Sequence, residues 1–210
     1  YLAEGANDVT ITGNTLDGGT HHAFLTTGSV HDVTVTGNTL TGDGPRAVAY
    51  VNGEVSLGAA RATDNVDFTD NDFVGGDNAG LLLGVEATNS VITGNSFSGN
   101  GSYAALEVWE AGTVSGNNFE TDGDVAVIDA GSNHDEAALV SGNSFAGAVY
   151  IQGSDTIYTS LQAAIDAASD GDTILVGPGS FTETANYNPA TGENSGSGNP
   201  VGLLINRSVT

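Results

Sequence analysis

The chain contains no cysteine, no methionine and no lysine among its 210 residues. Without cysteine there is neither a disulfide framework nor a thiolate metal site, a composition compatible with export. The only cations besides histidine are Arg46, Arg61 and Arg207, set against 26 acidic residues, for a net charge of -23. Nucleic acid is therefore not an expected partner, because phosphate recognition needs clustered Lys and Arg. An anionic membrane surface is disfavoured for the same reason. No apolar run approaches the ~18 residues of a spanning helix, so membrane insertion is not expected. The sequence opens at Tyr1 rather than Met, and a leader or an upstream region is expected before it.

Charged residues make up only 14% of the chain and hydrophobic ones 39%, enough to bury a sizeable core. The acidity has three readings. It solubilises a long apolar stack, it suits a salty medium in which self-repulsion is screened, or it supplies oxygen ligands for Ca2+. Under the last two, calcium or high salt is expected to stabilise the fold. No cofactor is required.

One unit recurs six times: VTITGNTLDG, VTVTGNTLTG, VDFTDNDFVG, VITGNSFSG, TVSGNNFE and LVSGNSFAG. Its fixed point is Asn14, Asn38, Asn71, Asn95, Asn117 and Asn143, so the repeat is about two dozen residues with one longer interval. Three residues before that Asn lie Ile11, Val35, Phe68, Ile92, Val114 and Val140. Two residues after it lie Leu16, Leu40, Phe73, Phe97, Phe119 and Phe145. The pattern reads as a half-buried strand, a tight corner and a second strand. Gly followed by Asn supplies the left-handed angle of the corner. A unit this short buries its apolar face only by stacking on its neighbours. Stacking sets equivalent residues ~4.8 Å apart, so the Asn column predicts a buried ladder of amides. No helix is expected inside a unit.

These segments resemble the right-handed parallel β-helix superfamily of pectate lyases, polysaccharide-degrading enzymes and repeat modules of large secreted proteins. The resemblance implies an all-β right-handed solenoid, and it speaks for the fold rather than for an activity, because the matching residues are structural.

Residues 154–210 break the repeat. Leu161, Ala164, Ile165 and Ala168 follow the spacing of a short amphipathic helix, capped by Thr159 or Ser160 and followed by Gly171. Such a run resembles the segment that opens many secreted β-helices and covers their first coil. The expected organisation is repeat coils over 1–153, then a helix-bearing cap and the first coils of a following unit over 154–210; the alternative is that residues 154–210 cap the C-terminal end of this stack. The tail VGLLINRSVT reads as one more strand.

Candidate chemistry is sparse. A lyase of this fold needs basic residues around a uronate, and three scattered arginines do not supply them. The acidic corner formed by Asp64, Asp67, Asp70 and Asp72 offers Ca2+ ligands, and it is the best place for the two carboxylates a glycoside hydrolase needs. A solvated surface is the plainer reading of that corner. His21, His22, His31 and His134 are too scattered for a metal site. Tyr103 and Trp109 offer a stacking surface for sugars, although a lone Trp more often serves packing. The longest interval carries Arg46 and Arg61 in a lengthened loop, the first choice for a contact site.

No catalytic residue is assigned. The expected function is that of an extracellular structural module, a filament, surface layer or adhesin stalk. Copies of itself are the expected partners, head to tail, through Leu161, Ile165, Ala168, Leu203, Leu204 and Ile205. The alternative is a glycan-binding or carbohydrate-active β-helix using the face near Asp67–Asp72, with surface glycans as partners.

Overall fold

The computed structural model describes residues 1–3, 5–52, 63–100, 103–110, 112–120, 123–179, 181, 183, 185–188, 193–194 and 199–210. Three parallel sheets run along a stack of coils. The first holds Asn7–Thr12, His31–Thr36, Thr63–Thr69, Val91–Thr93 and Thr113–Ser115, with the short Ala87–Thr88 also pairing onto Thr63–Thr69. The second holds Thr15–Asp17, Thr39–Gly42, Asp72–Gly75, Ser96–Ser98, Asn118–Glu120 and Ser144–Phe145. The third begins with Phe24–Thr27, Ala49–Asn52, Ala79–Leu83, Ala104–Val108 and Val125–Asp129. Each coil thus passes through all three sheets, and the β-solenoid expected from the repeat is the fold.

Alternation along each strand decides what points inward. Val35, Phe68, Ile92 and Val114 fill the core from the first sheet, and Leu40, Phe73, Phe97 and Phe119 from the second. Phe73, Phe97, Phe119 and Phe145 form a face-to-face column with ring centroids 4.8, 4.9 and 4.9 Å apart. That spacing is the distance between strands, so a single aromatic per coil at one register position dictates the stack.

The corner between the first and second sheets carries the left-handed angle on the residue before each Asn: Gly13, Gly37, Asp70, Gly94 and Gly116 all have positive φ, and the asparagines do not. Gly94 is the tightest case, because a Cβ there would lie 2.3 Å from Asp70 Oδ1. A second left-handed column, unread in the sequence, runs through Asp8, Asp32, Asn65 and Asn89. These residues fall between paired positions of the first sheet, as Asp8 and Asp32 do between Asn7↔His31 and Val9↔Val33. Asp and Asn tolerate this conformation better than other residues with a side chain.

The last repeat corrects the expectation that no helix fits inside a unit. Residues 136–142, aligned with the first-sheet strands, form a helix, α1 (Glu136–Gly142). Asp135 caps it by accepting from the Ala138 N–H at 2.9 Å, and Leu139 turns into the core. His134 fixes the turn before it: Nδ1 lies 3.0 Å from Asp129 Oδ1 and Nε2 lies 3.1 Å from the Gly112 carbonyl.

Beyond α1 the third sheet changes direction. Thr156–Tyr158 pairs antiparallel with Val125–Asp129, Gly147–Ile151 pairs antiparallel with Thr156–Tyr158, and Ile174–Gly179 follows on Gly147–Ile151. A second helix, α2 (Leu161–Ala167), packs here with Ala164 and Ile165 buried and Ser160 as its N-cap. Glu183 Oε1 accepts the Leu161 N–H at 2.6 Å, satisfying another free donor of the first turn. Ala185–Asn188, Glu193–Asn194 and Asn199–Val201 form a separate small antiparallel sheet.

Candidate functional site

The asparagine column forms five consecutive rungs. In each, the Oδ1 of the next coil's Asn accepts both the backbone N–H and the Nδ2 of the Asn before it. For Asn71 on Asn95 the two distances are 2.9 and 3.0 Å, and for Asn95 on Asn117 both are 3.0 Å. The rungs Asn14–Asn38, Asn38–Asn71 and Asn117–Asn143 repeat the arrangement. Nδ2 also donates to a main-chain carbonyl of the previous coil, as Asn95 does to Phe68 at 2.9 Å. Asn38, Asn71, Asn95 and Asn117 are buried, Asn143 is half-buried and Asn14 is exposed.

Asp64, Asp67, Asp70 and Asp72 are spread over different elements. Asp64 and Asp67 stand on the first sheet, Asp70 occupies the corner, and Asp72 begins a strand of the second sheet. Asp64 accepts from Thr88 Oγ1 at 2.8 Å and Asn89 Nδ2 at 2.7 Å, which hold its carboxyl below the usual range. Asp67 moves the other way, raised by partial burial although the Val91 N–H donates to it. Asp64 and Asp67 both face outward from the first sheet, while Asp70 and Asp72 lie at and beyond the corner. Among the described residues no three His, Asp or Glu side chains gather closely enough to hold a metal ion.

Of the residues expected at a junction between copies, Ile165 and Ala168 are buried within this chain, Leu161 and Leu204 are half-buried, and Leu203 and Ile205 are exposed. The inward face of α2 is taken by its own cap strands.

The outer face of the third sheet gathers the chemistry. Tyr50, Leu82 and Glu107 sit in one cross-strand row, while Val51, Leu83 and Val108 point into the core. Beside this row is a groove of about 410 Å³ lined by His22, Pro45, Arg46, Ala47, Tyr50, Asn78 and Leu82. Arg46 is thus brought to a site, whereas Arg61 lies outside the described residues. His22 donates from Nδ1 to the Ala47 carbonyl at 2.6 Å, and its ring lies 5.6 Å from that of Tyr50. Asn78 Oδ1 is buried in this wall without a hydrogen-bond partner, an acceptor that its surroundings leave unsatisfied.

Further along the row, Glu107 is only 4% exposed, although its strand points it outward. Trp109 Nε1 donates to its Oε1 at 2.6 Å, and Tyr103 hydrogen-bonds to it as well. These two rings account for its burial, yet they remain 40% and 43% exposed themselves. Desolvation, then the charge of Glu107, push the Tyr50 and Tyr103 hydroxyls above the usual tyrosine value. The result is a surface of exposed aromatic faces around one ordered carboxylate. Sugar rings bind to such surfaces with C–H faces on the aromatics and hydroxyls on the acceptors. Tyr103 and Trp109, singled out in the sequence as aromatic side chains, are both beside Glu107. Glu107 was not singled out, and its signal was a lone carboxylate inside the apolar run AALEVW.

No curated protein and no solved structure matches the chain. A model of the right-handed β-helix region matches residues 1–162, a span that takes in all the parallel coils and α1. With its corners, ladder and aromatic column repeating through that span, the chain belongs to the right-handed β-helix family.

Proposed function

We propose that this domain is an exported structural module, a rigid β-helix rod that joins copies of itself end to end at a cell surface. The observation that carries the reading is the use of the repeating side chains: the amide ladder and the aromatic column spend them on coil-to-coil bonding without interruption. The net charge of -23 suits a surface in contact with a salty medium. An apolar contact is available on the cap, where Val176 is 55% exposed. A contact of unlike surfaces that does not close produces a filament. Sedimentation of the chain at rising concentration is expected to show elongated assemblies that Val176→Glu abolishes without altering the monomer's melting temperature. A chain that stays monomeric throughout counts against the reading.

A second reading rests on the Tyr103–Glu107–Trp109 arrangement, which favours a glycan-binding face on the same rod. Its ligand is a neutral saccharide, since so acidic a protein repels uronates and sulfated sugars. Trp109 is the chain's single tryptophan, so its fluorescence reports this site alone. Neutral oligosaccharides are expected to give a saturable change that polygalacturonate does not, with affinity falling at least tenfold, about 1.4 kcal/mol, in Glu107→Ala. No response to a panel of neutral glycans would sink it.

A further inference from the structure

The chain holds two Asn-x-Ser triplets of the kind that N-glycosylation reads, at Asn100-Gly101-Ser102 and Asn206-Arg207-Ser208. The fold treats them oppositely. Asn100 is 0% exposed, and its Nδ2 donates to the Gly75 carbonyl at 2.7 Å, so a glycan there is incompatible with the stacked coils. Asn206 lies in the tail that straps over α2, and it is exposed.

The strap has a defined inner side. Gln162 grips it by accepting the Leu204 N–H at 2.8 Å and donating to the Leu204 carbonyl at 3.1 Å. Arg207 reaches the Asp166 carbonyl at 3.0 Å with one guanidinium nitrogen, and its Nε is buried. The Ser208 N–H donates to Asp170 Oδ1 at 2.9 Å, and its carbonyl accepts from the Gly171 N–H. Arg207 is drawn inward, while Asn206 and Ser208 on either side of it are both exposed.

We propose that Asn206 is an N-glycan acceptor, an assignment that rests on the reading of the domain as exported. In the transfer, the Asn206 amide nitrogen bonds to the anomeric carbon of a lipid-linked oligosaccharide. The bond from that carbon to the diphosphate carrier breaks, the carrier keeps the electron pair, and the amide loses one proton. Ser208 provides the hydroxyl that completes the triplet. The attached glycan stands over the strap and leaves the third-sheet groove and the coil stack untouched.

The test is the peptide mass around Asn206 and around Asn100 in protein taken from its own cells, with secreted and retained pools kept apart. The proposal expects a hexose-containing mass increment on Asn206 in most secreted copies, none on Asn100, and loss of the increment in both Asn206→Gln and Ser208→Ala. A secreted pool with unmodified Asn206 overturns the acceptor while leaving export intact. A pool retained in the cytosol and unmodified overturns both. An increment that survives Ser208→Ala overturns the triplet as its cause.

Discussion

Asn95→Ala is expected to lower the unfolding free energy by about 2–5 kcal/mol, read as a fall in the denaturant midpoint with an unchanged slope. The substitution removes more than one side chain's bonds. Asn95 Oδ1 is the acceptor for both the backbone N–H and the Nδ2 of Asn71, while Asn95 Nδ2 satisfies the Phe68 carbonyl. Asn71 and Phe68 are buried, so their freed groups meet no water. Each stranded group costs about 1–3 kcal/mol. Asn71 Nδ2 keeps its second partner, the Val35 carbonyl at 2.8 Å, which limits the loss on that side. Asn14→Ala is the control: Asn14 is exposed, and the same change there is expected to cost less than about 1 kcal/mol. Equal losses at the two positions would show that the ladder does not stabilise the stack.

The largest loss is expected from Phe97→Ala, about 3–5 kcal/mol. Phe97 is fully buried between Phe73 and Phe119, nearly parallel to each, so its removal opens a cavity against two rings at once. Offset stacking adds about 0.5–1.5 kcal/mol to the burial of each pair. Phe97→Leu is expected to lose less than half as much, because Leu40 fills the same column in the second coil without loss of burial. Phe145→Ala provides the comparison from the column's end, where the ring has one stacked neighbour and is only half-buried. If thermal melting ranks Phe145→Ala as the more damaging, the column is not the central support of the core.

The coils were legible because each side chain's role repeats, and a column of six residues leaves little room for another period. Asn71 shows the strength of that signal: it holds its place in the ladder although its neighbour is Asp70 rather than Gly, since Asp also adopts positive φ. The same uniformity concealed α1. LVSGNSFAG aligns with the strand repeats, and alignment outweighed the local message of Asp135-Glu136-Ala137-Ala138-Leu139, a capping residue followed by strong helix formers. The left-handed column at Asp8, Asp32, Asn65 and Asn89 lies just before the recurring segments, where the residue changes between Asp and Asn. The third-sheet groove was illegible for a different reason. Tyr50, Leu82 and Glu107 belong to successive coils, and their proximity depends on a strand register that no single segment encodes.

The helix at the last repeat has a consequence for how the stack can be copied. A parallel strand with an unpaired edge is a template, and any extended peptide with a compatible face can dock on it and present the same edge again. At the position of α1 the first sheet offers no such edge. The Leu139 carbonyl, which a helix would otherwise leave free near its C-terminus, accepts Asn143 Nδ2 at 2.8 Å. The third sheet is turned antiparallel at the same end, so an incoming parallel coil finds the wrong hydrogen-bond pattern there as well. Seeding of strand-by-strand growth, the route by which solenoid edges pass into amyloid-like fibres, is thereby blocked on two of three faces. On the third face the edge is Ser144–Phe145, whose two residues give an incoming strand little to pair with.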